Sequence, residues 1–446
     1  MKRLNKRLYI LVSFWLLPVL LVMFGPYGDS RVAAVDTNTY KSLKLFTEVI
    51  DIVEKNYVED VKTNKLIQEA INGMIKSLDP HSAFLTPDQY KDLQVDTSGQ
   101  FGGLGIVITL QNDQLTVVSP IEDTPAFKAG IKAGDKIIKI DGQFTKGIAI
   151  TDAVKKMRGP ENTKVTLSIM RKDFTQPKDF VITRATIKIK SVKHQVFDGS
   201  IGYIRLSNFQ ESTTDELKKA LQDINGKAKP LKGIVLDVRN NPGGLLEQAV
   251  KVSDAFIKSG TIVATKGRVK TVEATFVARD DGSEPACPMV VIVNEGTASA
   301  SEIISGALQD NRRAIILGTK TFGKGSVQTV IPLEDGSAIK LSTAKYFTPK
   351  GRSIQAEGIV PDIVVEFVKP PEEEEGPETV IREKDLRGHI RGEKETAEPK
   401  ETARPKEAAP KAAAEKKEQD PLTRDNQLKS AVDILKSWEV FSKSGK

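Results

Sequence analysis

Apolar positions along the chain recur with more than one period, and the changes of period divide it into regions. Between Thr39 and Leu78 the spacing is helical: Leu43, Phe46, Ile50, Val53 and Tyr57 recur every three or four residues. After the turn-like stretch Glu59–Thr63, Leu66, Ala70, Met74 and Leu78 repeat the pattern. Two amphipathic helices cannot cover both apolar faces alone, so they are expected to pack on the body or on a second copy. From about Ser98 to Arg184 short strand-like runs alternate with glycine turns. Phe101-Gly102-Gly103-Leu104-Gly105-Ile106-Val107-Ile108 is a glycine-rich loop running into a strand, and Leu115–Val118 and Lys164–Arg171 are further strands. Thr124–Gly130 predicts a short helix closed by glycine, Gly134–Gly142 a strand and tight turn, and Ile148–Met157 a helix.

From about Ile187 to Phe367, β-branched runs (Ile201–Leu206, Gly233–Val238, Met289–Val293, Ala314–Leu317) alternate with helical stretches (Thr214–Ile224, Leu245–Ile257, Ser299–Asp310), the pattern of an α/β core. From Lys369 to Thr423 Pro, Glu, Lys and Ala dominate, with a charge run at Glu372–Glu375, and a disordered linker is predicted. Leu428, Val432, Leu435 and Trp438 then mark a last amphipathic helix, which the pattern alone assigns neither to the body nor to an assembly contact. The expected division is 1–34, 35–97, 98–186, 187–368, 369–423 and 424–446: leader, helical region, β-rich domain, α/β core, linker and terminal helix.

The leader changes the picture of where the chain works. Lys2, Arg3, Lys6 and Arg7 precede an apolar stretch from Leu8 to Phe24, and Val32-Ala33-Ala34 offers small residues to a signal peptidase. The stretch is long for a cleaved signal, short for a spanning helix, and interrupted by Pro18, so cleavage and retention as a membrane anchor both stay open. In either case the rest of the chain is exported, because the positive charges stay inside. The location expected is the periplasm or the extracytoplasmic face of the cytoplasmic membrane.

Charge and cysteine content remove several function classes. The net charge is +7, but acidic and basic residues are interspersed and no arginine stripe is interleaved with aromatics, so no nucleic-acid partner is expected. The single cysteine, Cys287, excludes an intrachain disulfide framework and a cysteine-rich zinc site. It precedes the apolar run Met289–Val293 and reads as a small apolar residue entering a strand. Of the three histidines, His389 falls in the linker, His194 in a strand-like stretch and His81 in the turn Leu78-Asp79-Pro80-His81-Ser82. None neighbours a serine in a nucleophile elbow, and His-Glu-x-x-His is absent. No metal and no cofactor are implied, and a hydrolase here needs a base other than histidine.

Three motifs carry the candidate chemistry. In Asn294-Glu295-Gly296-Thr297-Ala298-Ser299-Ala300-Ser301-Glu302 a strand runs through small residues into a helix. Ser299 therefore stands where free N–H groups and the helix dipole favour an oxyanion, although Ser299-x-x-Glu302 is also an ordinary capping box. In Gly318-Thr319-Lys320-Thr321-Phe322-Gly323-Lys324-Gly325-Ser326-Val327-Gln328 a lysine lies between glycines that let other backbone approach. This stretch nearly matches a phosphate-binding loop, but Gly325 stands where a hydroxyl is needed and Val327–Leu333 reads as a strand rather than a helix. Leu236-Asp237-Val238-Arg239-Asn240-Asn241-Pro242-Gly243-Gly244-Leu245 ends a buried-type strand in a polar turn, the place where sites form in open α/β sheets.

These three motifs, in this order, resemble those of the carboxyl-terminal processing peptidases, also called tail-specific proteases, over roughly Val35 to Val368. The resemblance implies a serine endopeptidase with Ser299 as nucleophile, Lys324 as general base and Gln328 orienting the lysine. It also implies an oxyanion hole made by the Ala300 N–H and a glycine N–H from Gly243 or Gly244. Thr297 stands where the family usually has serine. The fold implied is α+β and multidomain: an N-terminal helical segment, a PDZ-like domain, a crotonase-like α/β peptidase core, a linker and a C-terminal helix. Phe101–Arg184 resembles a PDZ domain, with Gly103-Leu104-Gly105-Ile106 as the loop whose N–H groups hold a peptide C-terminus. Protein substrates with exposed C-termini follow from it, with room for an activating adaptor protein, homo-oligomers and membrane contact through the leader. The alternative is a catalytically inactive PDZ adaptor of the envelope.

The dyad chemistry is coherent. A lysine must be neutral to take a serine proton, so its pKa has to fall well below the ordinary ~10.4, and burial beside apolar neighbours such as Phe322 and Val327 is the means. Lysine, unlike arginine, can lose its proton. If extended, Lys324 and Gln328, four residues apart, lie on one strand face.

Overall fold

A computed structural model describes residues 37–228, 230–368, 381–386, 388–393 and 421–444. The leader, residues 1–34, and most of the linker stretch lie outside the described residues. Among the described residues no helix is long and apolar enough to cross a membrane. The chain divides into two compact units, Met1–Ile71 and Asn72–Lys446. The first contains the helix Thr37–Asn56 and the start of Thr63–Lys76, which match the two helical periodicities.

The larger unit is organised by a six-stranded sheet in the order Val192–Phe197, Ile201–Leu206, Gly233–Asp237, Met289–Val293, Ile315–Gly318, Ile363–Val364. The first pair is antiparallel and every later pair is parallel. The central strands are continuous apolar runs because both of their faces are covered. Ile234, Leu236, Met289, Val291 and Val293 point to the helices Thr213–Lys227, Leu246–Asp254 and Ala300–Asp310. Val235, Val290 and Ile292 point the other way and are covered by Leu428, Ala431, Val432 and Leu435 of the helix Asn426–Ser444. The last helix therefore docks on the body, and Leu435 packs so closely that a side chain at Gly233 would meet it at 3.0 Å.

A second sheet, of strands Ala83–Leu85, Ala338–Phe347, Ser259–Gly267 and Ala274–Arg279, receives Ser326–Pro332 as an additional partner of Ala338–Phe347. The β-rich domain is a sheet in the order Ile106–Gln111, Gln114–Pro120, Lys136–Ile140, Lys164–Met170, Lys178–Thr183, with the helix Ile150–Met157 beside it. A two-stranded ribbon, Gln100–Gly103 with Ala185–Lys188, joins the chain entering that domain to the chain leaving it.

One part of the linker reading is corrected. Residues 381–386 and 388–393 are anchored to the body at particular points: Glu383 is fully buried and Gly392 is buried, while Ile381, Lys384, Asp385, Gly388, Arg391 and Glu393 stay exposed. Composition misled there because the anchoring groups are polar: Arg382 donates to the carbonyls of Lys320 and Thr321, and Glu383 meets His81 and Gln355. His389 belongs to this anchored stretch, with Nδ1 3.0 Å from the Leu386 carbonyl.

Candidate active site

Ser299 follows the buried strand Met289–Val293 and is the N-cap of Ala300–Asp310. Its backbone, at φ 56° and ψ −115°, is a conformation that side-chain-bearing residues seldom adopt, and it costs on the order of 1–3 kcal/mol. Such a geometry persists only where neighbours impose it. Ala298 N–H and Ser301 Oγ both donate to the Asn241 carbonyl, at 3.0 and 2.9 Å. Thr297 Oγ1 donates to the Val238 carbonyl at 2.9 Å, a bond that a serine at this position could also make. Asn240 and Asn294 bond reciprocally at 2.8 Å. The turn after Gly233–Asp237 and the turn after Met289–Val293 are thus laced together at the C-terminal edge of the parallel strands, where open α/β sheets place their sites.

Gly243 shows why that turn needs glycine. Its φ is +101°, and a Cβ on it would lie 2.9 Å from Ser299 Cβ, from the Ala298 carbonyl oxygen and from the Ala300 nitrogen. Its N–H donates to Asn241 Oδ1 at 2.9 Å. The neighbouring Gly244 N–H has no hydrogen-bond partner among the described residues. Ala300 opens the helix, so its N–H is one of the four that no helical carbonyl can reach.

Lys324 lies in the loop between Ile315–Gly318 and Ser326–Pro332. That loop leads into a strand, so it lacks the helix N-terminus of a phosphate cradle. The Lys324 amine is held below the ordinary lysine pKa by burial first and by Lys340 second, against the opposing pull of Glu383, Glu302 and Asp79. Ser299 and Lys324 are tied through Glu302. This fully buried carboxylate accepts from Ser299 N–H at 2.8 Å and Lys324 N–H at 2.9 Å on Oε2, and from Thr321 Oγ1 at 2.6 Å and Gly323 N–H at 2.7 Å on Oε1. Burial pushes its carboxyl up to about 7, with the four donors working against the shift. The Phe322 N–H adds a bond to the Thr297 carbonyl at 3.0 Å. Among the described residues no hydrogen bond joins the Ser299 hydroxyl to the Lys324 amine; it is the backbone N–H groups of the two residues that share an acceptor.

Gln328 stands differently from the sequence expectation. A bulge between Val327 and Gln328 breaks the alternation along Ser326–Pro332. The Gln328 amide donates to Ser326 Oγ at 2.7 Å and to Ser342 Oγ at 3.4 Å rather than to Lys324. The histidines are engaged elsewhere: His81 with Glu383, and His194 3.3 Å from Asp223. Burial raises the Cys287 thiol, which suits a structural residue.

Two features escaped the sequence reading. Glu302 was legible only as half of a capping box, and its reach to residues 321–324 is a tertiary fact. Asp237 is buried at the end of its strand and takes Arg239 (2.6 Å), Arg205 (2.9 Å) and the Tyr203 hydroxyl (2.9 Å). Burial pushes the Asp237 carboxyl up, but Arg239 and then Arg205 override it and hold it below the usual carboxylate range. Arg239 also reaches Asp425 at 2.6 Å, at the foot of the last helix.

In the β-rich domain, Gly103, Leu104, Gly105 and Ile106 form one wall of a cavity of about 130 Å³, with Val154, Met157 and Arg158 opposite. Gly105 has φ +74°, and a Cβ on it would strike Thr124 at 2.4 Å. Ile106–Gln111 is an edge strand, so one side of it is open to an added strand.

Three stretches of the chain match known families. Residues 200–365 match the model of peptidase family S41, 92–170 that of the PDZ domain, and 29–88 that of the activating protease CtpB N-terminal domain. The chain is similar to the carboxy-terminal-processing protease of Bartonella bacilliformis, 47% identical over 394 residues that cover 88% of this chain and 89% of that protein. It is 39% identical over 353 residues to a "Probable CtpA-like serine protease" of Staphylococcus aureus, covering 79% of this chain and 70% of the other. Among solved structures it matches the photosystem II D1 C-terminal processing protease at 31% identity and a TM-score of 0.43, over 72% of this chain and 92% of that one.

Proposed function

Because the chain belongs to the carboxy-terminal-processing proteases of peptidase family S41, we propose that Ser299 is its nucleophile and Lys324 its general base. The neutral amine takes the Ser299 proton as Oγ attacks the scissile carbonyl. The developing oxyanion is met by the Ala300 N–H and the Gly244 N–H; Gly243, whose N–H is committed to Asn241, holds the turn against Ser299. Lys324 then returns the proton to the leaving amine as the C–N bond breaks. A water, deprotonated by the same lysine, releases the acyl group and restores the serine. Gln328 orients the amine once its amide oxygen Oε1 turns to accept an N–H of Lys324, which leaves the amine lone pair free for the serine proton. The PDZ domain captures the substrate C-terminus at Gly103–Ile106 and adds the peptide along Ile106–Gln111. The basic, apolar leader supports export, by cleavage or as an anchor facing the outside. The N-terminal helices support self-assembly, and an activating adaptor fits the same scheme.

The observation that carries the reading is the Glu302 carboxylate holding both Ser299 and Lys324 while burial lowers the lysine pKa. Ser299→Ala and Lys324→Ala, each made in the exported chain, are expected to stay folded and to lose cleavage of an unfolded protein substrate. Full residual cleavage in either variant ends the dyad assignment.

A further inference from the structure

Residues 381–386 and 388–393 lie beyond the 200–365 stretch that matches the peptidase family model, yet they run along the lysine loop. Arg382 donates to the carbonyls of Lys320 and Thr321 at 2.9 and 3.0 Å, and Glu383 N–H donates to the Phe322 carbonyl at 3.2 Å. The Glu383 side chain is fully buried. Its two oxygens lie 2.8 and 2.7 Å from His81 Nε2, and Oε1 also accepts from Gln355 Nε2 at 2.9 Å. Gln355, itself fully buried, accepts the N–H of Gly325 at 2.9 Å, one residue beyond Lys324.

The same turn that carries His81 reaches the other side of the lysine loop. Asp79 Oδ1 accepts from Ser342 Oγ at 3.2 Å, and Ser342 Oγ accepts from the Gln328 amide at 3.4 Å. A buried polar network thus runs from the turn 79–82 through Glu383 and Gln355 to the backbone beside Lys324, and through Ser342 to Gln328.

We propose that Glu383, anchored by His81 and Gln355, is a positioning residue for the reaction, holding the Lys324 loop in place and setting the charge behind the amine. This rests on the reading of Lys324 as general base. Four charged groups act on that amine: Lys340 favours its neutral form, and Glu383, Glu302 and Asp79 favour its protonated form. Glu302 is needed for the serine loop as well, and Asp79 is spent on Ser82, His81 and Ser342. Of the three carboxylates, Glu302 lies in the stretch 200–365 and Asp79 in the stretch 29–88, whereas Glu383 lies outside all three matched stretches. Loss of its carboxylate takes the buried partner from His81 and leaves the Gln355 amide held by the Ile390 carbonyl alone, at 2.6 Å, which loosens the group that receives the Gly325 N–H. A misplacement of about 1 Å in a catalytic group costs on the order of 10²-fold in rate.

The test uses the full exported chain and compares kcat, KM and the pH profile of kcat/KM. Glu383→Gln keeps an oxygen for Gln355 but removes the charge. Its acid limb is expected to move to lower pH, so that one pH unit below the parent midpoint it shows roughly 2- to 3-fold more of its plateau activity than the parent. Glu383→Ala is expected to lose about 10- to 100-fold in kcat with KM little changed. An unmoved acid limb in Glu383→Gln overturns the proposal, as does a Glu383→Ala variant that melts earlier but keeps the parent kcat. Lys324→Ala run beside them separates the two claims. If it retains activity, the base assignment falls; if it is inactive while both Glu383 variants behave as the parent, only the positioning role falls.

Discussion

Ser299 and Lys324 donate their backbone N–H groups to the same oxygen, Oε2 of Glu302, at 2.8 and 2.9 Å. The two candidate catalytic loops are therefore held together by one buried carboxylate and by the Phe322 N–H bond to the Thr297 carbonyl, rather than by contact between the reacting groups. Because Glu302 belongs to the helix that Ser299 caps, the lysine loop cannot drift away without leaving the Gly323 and Lys324 N–H groups unpaired.

All four partners of Glu302 are donors, so Glu302→Gln must turn an NH₂ toward two of them. It is expected to lower the melting temperature and to cost on the order of 10²-fold in kcat, with each buried donor left unpaired costing about 1–3 kcal/mol. Thermal unfolding and turnover of the variant read both. A variant as stable and as active as the parent removes the clamp.

The pH dependence of Lys324 has a definite sign. In the folded protein its pKa lies below the ordinary 10.5. Between the folded value and 10.5 the unfolded chain holds a proton that the folded chain has released, so stability rises with pH across that window and gains nothing further above it. Denaturant titrations at several pH values are expected to show this rise in the parent and to lose it in Lys324→Met. Activity also rises with pH through the folded value, and Lys324→Arg, which cannot release its proton, is expected to give no turnover.

Gly243→Ala introduces a methyl group 2.9 Å from Ser299 Cβ and from the Ala298 carbonyl oxygen, at a φ of +101°. The serine loop has to move, and kcat is expected to fall by at least about 10²-fold while the PDZ domain stays folded. Peptide binding measured beside turnover separates the two effects. Parent-like turnover would show that the turn does not bear on Ser299.

The PDZ cavity tests substrate capture. Val154→Trp puts an indole into a space of about 130 Å³ between the helix Ile150–Met157 and the loop Gly103–Ile106. KM for a substrate with an apolar C-terminus is expected to rise about 10-fold or more, a loss of anchor binding, with kcat nearly unchanged. Unchanged KM assigns the domain to spacing or gating instead.

The terminal helix is predicted to be part of the fold. Leu435 is buried against Gly233 on the face of the central sheet. Leu435→Ala is expected to cost about 2–5 kcal/mol in chemical unfolding. A loss below about 0.5 kcal/mol, the usual range for surface substitutions, would mean that the helix does not close this face in solution.

Much of this molecule was legible from local pattern. Met289–Val293 was read as a strand with the bounds it has, because a run of apolar residues between a proline and a small-residue loop admits little else. The helix starting after Ser299, the strand after Lys324 and the glycine loop before Ile106 were legible for the same reason: period and turn residues are local properties. The second sheet escaped, since Ser259–Gly267 and Ala338–Phe347 gain their partners only across long stretches of chain. The bulge at Gln328 escaped because its register is dictated by Ala338–Phe347, not by its own residues. Residues 381–386 and 388–393 were misread because charged side chains without apolar periodicity look like solvated chain, whereas Arg382 satisfies the carbonyls of Lys320 and Thr321 and Glu383 the buried Gln355 amide. Local pattern was enough for the strands and helices of the parallel core and for the residue types able to do the chemistry. That one carboxylate, Glu302, joins Ser299 to Lys324 and that Glu383 stands behind them emerged from long-range packing, because a buried hydrogen bond exists only where folding brings its donor and acceptor together out of water.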